Sequence, residues 1–181
     1  RLLGLAPAHC GTISVLGHEI PREAPAVLLG TGYVPERPHL YPTLTVGEAI
    51  RYHAAFYPQW DARWADDLLA RFTLDRARLL QRLSKGEMGK LMILLALAQS
   101  PALLVLDEPT DGLDPVVRRD VLTALPAYVG LRHATVSIPS NLVPALRRIC
   151  YRVGSTHRGR PAAQLPRPTL TRALTRRRRP A

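Results

Sequence analysis

The hydrophobic pattern changes period several times along the chain. Ala102, Leu103, Leu104, Val105 and Leu106 are apolar on both faces, as in a parallel strand covered by helices on each side. Asp107 and Glu108 follow at its carboxyl end, the edge where open α/β sheets bind ligands. Gly11–Leu16 reads as a short strand, Leu16-Gly17-His18-Glu19 as a turn, and Tyr33-Val34 as a second short strand. Thr45-Val46-Gly47-Glu48 has the Thr-x-x-Glu form of a capping box and predicts a helix through Phe56. Asp61–Leu74 is amphipathic, with Trp64, Leu68 and Phe72 on one face. Ser84-Lys85-Gly86-Glu87 repeats the capping form. The helix behind it, to about Ala98, is apolar nearly all round from Leu91 and so belongs in the core. Asp114 before Pro115 predicts the N-cap and first turn of a helix over 115–125. Ala134–Ile138 reads as a strand, Leu142–Cys150 as a helix, and Tyr151–Val153 as a last strand. After Gly154 the periodicity fades into prolines and arginines.

Strands alternating with helices predict an α/β fold. Residues 41–99 contain no good strand and read as a helical insertion. The expected organisation is a partial α/β core over 1–40, a helical subdomain over 41–99, a second core segment over 100–160, and a basic, disordered tail over 161–181.

Charge changes this picture little. The formal net charge is +11, but residues 151–181 carry nine arginines and no acid, whereas residues 1–150 carry 16 Lys plus Arg against 14 Asp plus Glu. The excess belongs to the tail, which reads as a solvated end before it reads as a lipid or RNA patch. No aromatic interleaves its arginines, as a single-strand binder requires. Two cysteines, Cys10 and Cys150, argue against a disulfide scaffold and fit a reducing compartment. No signal-peptide pattern follows Arg1. The longest apolar run, Leu91 to Ala98, is far short of the roughly 20 residues that span a bilayer. A soluble, cytosolic protein is expected. The six histidines show no metal-ligand spacing.

A hydrophobic strand ending in Asp is how a phosphate-binding fold holds Mg²⁺, usually through water. The next side chain points elsewhere, so Glu108 can polarise the water that attacks a γ-phosphate. The Asp-Glu pair alone fits a turn acid equally well. The whole string LLVLDEPTDGLDP, residues 103–115, resembles the Walker B and D-loop segment of ABC ATPases. LSKGE, residues 83–87, lies about twenty residues upstream and resembles their LSGGQ signature. Residues 31–48 look like the Q-loop region, 51–61 like the helical subdomain of subunits serving bacterial ABC-2-type exporters, and 134–153 like the H-loop strand and its helix. The resemblance covers roughly residues 2–160.

The resemblance implies a P-loop NTPase-like ABC ATPase domain, and ATP and Mg²⁺ as its ligands. It also implies a second ATPase subunit in a head-to-tail homo- or heterodimer, and transmembrane permease subunits that the domain drives from the inner face of the cell membrane. No specific nucleic acid is expected. By the same resemblance Asp107 and Glu36 hold Mg²⁺, Glu108 orients the attacking water, and Asn141 takes the H-loop position. Ser84, Lys85, Gly86 and Glu87 meet the partner's γ-phosphate, and Asp114 lies in the D-loop. Ser84 with Glu87 fits a plain capping box too, and Asp114 and Asn141 each suit a helix N-cap.

Four departures stand out. Lys85 replaces the family's usual Gly, Glu36 its Gln, and Asn141 its His. No GxxxxGK[ST] phosphate loop occurs in the chain; the expectation is a fragment whose phosphate loop lies before Arg1 and which is inactive alone. The complete protein is then expected to be the ATP-hydrolysing motor of a membrane exporter. Two alternatives remain: a degenerate, non-catalytic subunit of a heterodimer, or a non-transport ABC ATPase acting on nucleic acid or ribosomes. Residues 41–99 contain no coiled-coil heptads, which speaks against the last.

Overall fold

The structure is a computed structural model that describes residues 3, 11–107, 115–138, 152–157 and 160–166. They belong to two compact units, Arg1–Ser140 and Asn141–Ala181.

The first unit opens with a hairpin of β1 (Ile13–Val15) and β2 (His18–Ile20). The segment expected to be only a turn contains the second strand. Leu16 and Gly17 both have positive φ, 53° and 85°, as a two-residue turn between twisted strands requires. A short helix α1 (Ala24–Leu29) follows, which the pattern did not predict. It lays Val27 against Val15 and Ile20.

Three parallel strands form the main sheet: β3 (Thr31–Val34), β4 (Leu103–Leu106) and β5 (Thr135–Ser137), with β4 in the middle. The helical insertion lies between β3 and β4, as expected. It holds α2 (Val46–Ala54), α3 (Ala62–Arg71), a 3-10 turn over Leu80–Arg82, and α4 (Lys85–Ala98). Both capping boxes form. Thr45 caps α2, with Glu48 N–H donating to Thr45 Oγ1 at 3.2 Å and Thr45 N–H to Glu48 Oε2 at 2.7 Å. Asp61 caps α3 by accepting from Trp64 N–H at 2.9 Å. Buried Leu91 and the run Ile93–Ala98 put α4 in the core.

Helix α5 (Pro115–Arg132) runs past the expected end at 125, through Pro126. Proline removes one backbone hydrogen bond, but tertiary anchors beyond it hold the last turns. Beyond the proline Tyr128 is buried, as are Ala124 and Leu125 just before it. The Tyr128 hydroxyl donates to Pro101 O at 2.9 Å, and burial pushes this phenol up to about 12. Arg132 pairs with Asp61, and Lys90 Nζ meets Asp120 Oδ2 at 2.9 Å.

In the second unit β6 (Arg152–His157) pairs antiparallel with β7 (Arg160–Pro166). The fading pattern after Gly154 predicted no such hairpin; prolines inside β7 mask its alternation. The helix expected over Leu142–Cys150 lies outside the described residues.

Gly32 sets how closely β3 approaches α4. A Cβ there would sit 2.8 Å from Ala96 O, 2.9 Å from Leu104 Cδ1 and 3.0 Å from Pro101 Cγ. The first of these is backbone and cannot swing away. Gly32→Ala is expected to cost about 1–3 kcal/mol by overpacking, read as a lower urea midpoint at unchanged slope.

Candidate functional site

Asp107 follows directly on β4, and its N–H donates to Val34 O at 2.8 Å, continuing the parallel register that pairs Val34 with Leu106. Glu36 stands two residues beyond Val34. The two acids therefore leave the same carboxyl edge on neighbouring strands, Asp107 half-buried and Glu36 exposed. The Tyr33 phenol is pushed up by burial and then by the Asp107 charge.

Among the described residues no group of three His, Cys, Asp or Glu gathers as a metal cage. Two carboxylates still suit Mg²⁺, which keeps several waters and takes one or two carboxylates together with substrate phosphates. Asp107 and Glu36 are the two carboxylates at this edge. Once bound, the ion would neutralise phosphate charge. Glu108, Asp114 and Asn141 lie outside the described residues.

The second constellation is the start of α4. Glu87 N–H donates to Ser84 Oγ at 3.2 Å, and Ser84 N–H donates to Glu87 Oε2 at 2.8 Å. The Ser84 hydroxyl accepts from the helix, and its own proton is left for the Glu87 carboxylate or for an incoming acceptor. Lys85 and Gly86 occupy the first two helical positions, whose N–H groups have no partner inside a helix. Ser84 and Lys85 are exposed and Gly86 half-buried. The turn thus presents a hydroxyl, two amides and a helix dipole, a combination that favours an anion.

Glu87 is the opposing charge. Its carboxyl is held below the usual value of 4.5, first by the Ser84 N–H, then by the Ser84 hydroxyl and the Arg78 and Lys90 charges, against the effect of burial. A lowered folded pKa means that its stabilising contribution is present above the unfolded value and lost as pH falls through the folded one.

Arg78 is the residue that motif reading missed. Its Nη1 meets Glu87 Oε1 at 2.6 Å and its Nη2 donates to Arg82 O at 3.0 Å. Only the 3-10 turn at Leu80–Arg82 folds it back onto Glu87, nine positions ahead in sequence, so no local pattern could signal the pair.

Comparison with known proteins shows the family. The family model described as ABC transporter matches residues 1–111. The ABC transporter ATP-binding protein YtrB of Bacillus subtilis is 33% identical over 81% of this chain and 50% of its own length. A Nod factor export ATP-binding protein I of Paraburkholderia xenovorans is 30% identical over 90% of this chain and 55% of its own. The chain therefore spans about half the length of these curated relatives. A solved ATP-binding subunit of an ABC transporter superposes with a TM-score of 0.85 at 27% identity, over 98% of this chain and 76% of that one. Among the described residues no helix is long and apolar enough to cross a membrane.

Proposed function

The chain belongs to the ABC transporter family, and on that premise we propose that it is the Walker B and signature portion of an ATP-hydrolysing motor that drives a membrane exporter. The observation that carries this reading is the pairing of two sites. One is a sheet edge where Asp107 and Glu36 emerge together; the other is a helix start whose capping box leaves a hydroxyl proton and two amides to offer. Asp107 and Glu36 hold Mg²⁺ against the nucleotide, and Glu108 takes the role of orienting the attacking water. Ser84, Lys85 and Gly86 meet the γ-phosphate held by a second subunit. A head-to-tail dimer is what lets one subunit's sheet edge share a nucleotide with another's helix start. Asn141 stands at the H-loop position and Asp114 in the D-loop.

The permease is read as docking on the helical insertion. Tyr41, Tyr52 and Phe56 form an exposed aromatic ladder there, with ring centroids 5.8 and 5.1 Å apart. Export rather than import rests on the likeness of residues 51–61 to exporter subunits and on the name of the Nod factor relative.

A non-catalytic partner in a heterodimer is the second reading. Lys85 at the exposed helix start, Glu36 and Asn141 favour it, because each departs from the residue usual at its position.

The 181 residues contain no phosphate loop, and we read them as part of a longer protein that supplies one. Most phosphate contacts would come from that loop's amides and lysine. Residues 1–181 alone are therefore expected to show no calorimetric binding of MgATP at micromolar concentration, and the protein with an upstream phosphate loop to bind and hydrolyse it. Micromolar binding by residues 1–181 would contradict this division of labour. A loop-containing protein that binds MgATP without turning it over would favour the heterodimer reading.

A further inference from the structure

The geometry points to Arg78 as a positioning residue for the signature turn: it cancels the Glu87 charge where the partner's phosphate must approach, and pins the turn that presents Ser84. It rests on the dimeric motor proposed above. An incoming phosphate meets a helix start that favours anions, but that start also carries a carboxylate in its first turn. Glu87 is needed there, because one of its oxygens accepts the Ser84 N–H at 2.8 Å. The LSGGQ form of the signature has Gln at this place, which can complete a capping box without a charge. Here the charge is present, and the Arg78 guanidinium lies on its other oxygen at 2.6 Å.

Contacts of both its side chain and its backbone fix where Arg78 stands. Nη1 holds Glu87, Nη2 donates to Arg82 O at 3.0 Å, and the Arg78 carbonyl accepts from Val46 N–H at 3.0 Å. The guanidinium thus spans the turn from Arg82 to Glu87, and the backbone of Arg78 is tied to the first turn of α2. Lys90, the other cation near Glu87, is already engaged with Asp120 at 2.9 Å. The Arg78 and Glu87 side chains are 42% and 29% exposed. A pair so exposed adds little to global stability, so its effect should appear in phosphate capture and in the order of the turn.

The test uses the protein with its phosphate loop, with Arg78→Met and Arg78→Lys made both alone and in a Glu87→Gln background. Two quantities are read: ATP turnover, and hydrogen exchange at the Ser84 and Glu87 amides. With Glu87 present, Arg78→Met is expected to lower turnover about tenfold and speed exchange by a similar factor, with the melting temperature little changed. Against Glu87→Gln, the same change should cost less than about twofold, because no charge remains to cancel. Arg78→Lys keeps the charge and loses the fork, and should fall between the two. Equal losses in both backgrounds, or unchanged exchange, would overturn the proposal. If the parent protein itself fails to hydrolyse ATP, the motor reading has failed; exchange then decides alone whether Arg78 holds the turn through Glu87.

Discussion

Glu108→Gln, in the protein with its phosphate loop intact, is expected to cut ATP turnover by about 10²–10⁴ while leaving MgATP binding within about twofold, the scale of removing a positioned general base. The argument starts from β4. Leu104, Val105 and Leu106 are buried and the strand is paired on both sides, so it has one fixed register and delivers Asp107 to the sheet edge beside the end of β3. On extended backbone successive side chains alternate in direction, and the different jobs proposed for the two acids rest on that alternation. The amide of Gln keeps the shape of Glu108 and loses the charge that orients water. Asp107→Asn should differ in kind: it weakens the dependence on Mg²⁺ and the affinity for MgATP together. Single-turnover assays with labelled ATP, alongside binding by calorimetry, separate these outcomes. Equal loss of binding in both variants would mean that the roles are misassigned.

Ser84→Ala is the second large effect. Its hydroxyl both caps α4 and, in the dimer proposed here, donates to a phosphate held by the other subunit. Losing the cap costs about 0.5–2 kcal/mol of stability. Losing a donor aimed at transition-state charge costs about 10²–10³ in turnover. The two are separable by Ser84→Asn, which caps well but carries a larger side chain into the phosphate approach. Asn should restore the melting temperature without restoring turnover. Full recovery of turnover by Asn would reduce Ser84 to a cap.

Much of this was legible in the chain because the signals are local. Thr-x-x-Glu and Ser-x-x-Glu each specify reciprocal bonds within four residues, and both boxes form at Thr45 and Ser84. The apolar run at Leu103–Leu106 reads as buried strand because both faces are covered, and it pairs on both sides. Misreadings fall where tertiary contacts override local propensity. Pro126 looks like a helix end, but buried Tyr128 and the Arg132–Asp61 pair carry α5 past it. Leu16-Gly17 lacks the Asn-Gly signature of a hairpin, so β2 was invisible although the turn has the required positive φ. Arg78 was invisible because its meeting with Glu87 depends on a fold-back that no periodicity encodes.

Light scattering on the Glu108→Gln protein with its phosphate loop decides the shared site. If Ser84 of one subunit completes the nucleotide site at Asp107 of another, MgATP should double the molar mass, MgADP should leave it single, and Ser84→Arg should abolish the doubling while calorimetry still shows bound MgATP. A single mass with MgATP bound, at protein concentrations up to about 100 μM, where contacts of even −5 kcal/mol begin to register, would contradict the head-to-tail motor.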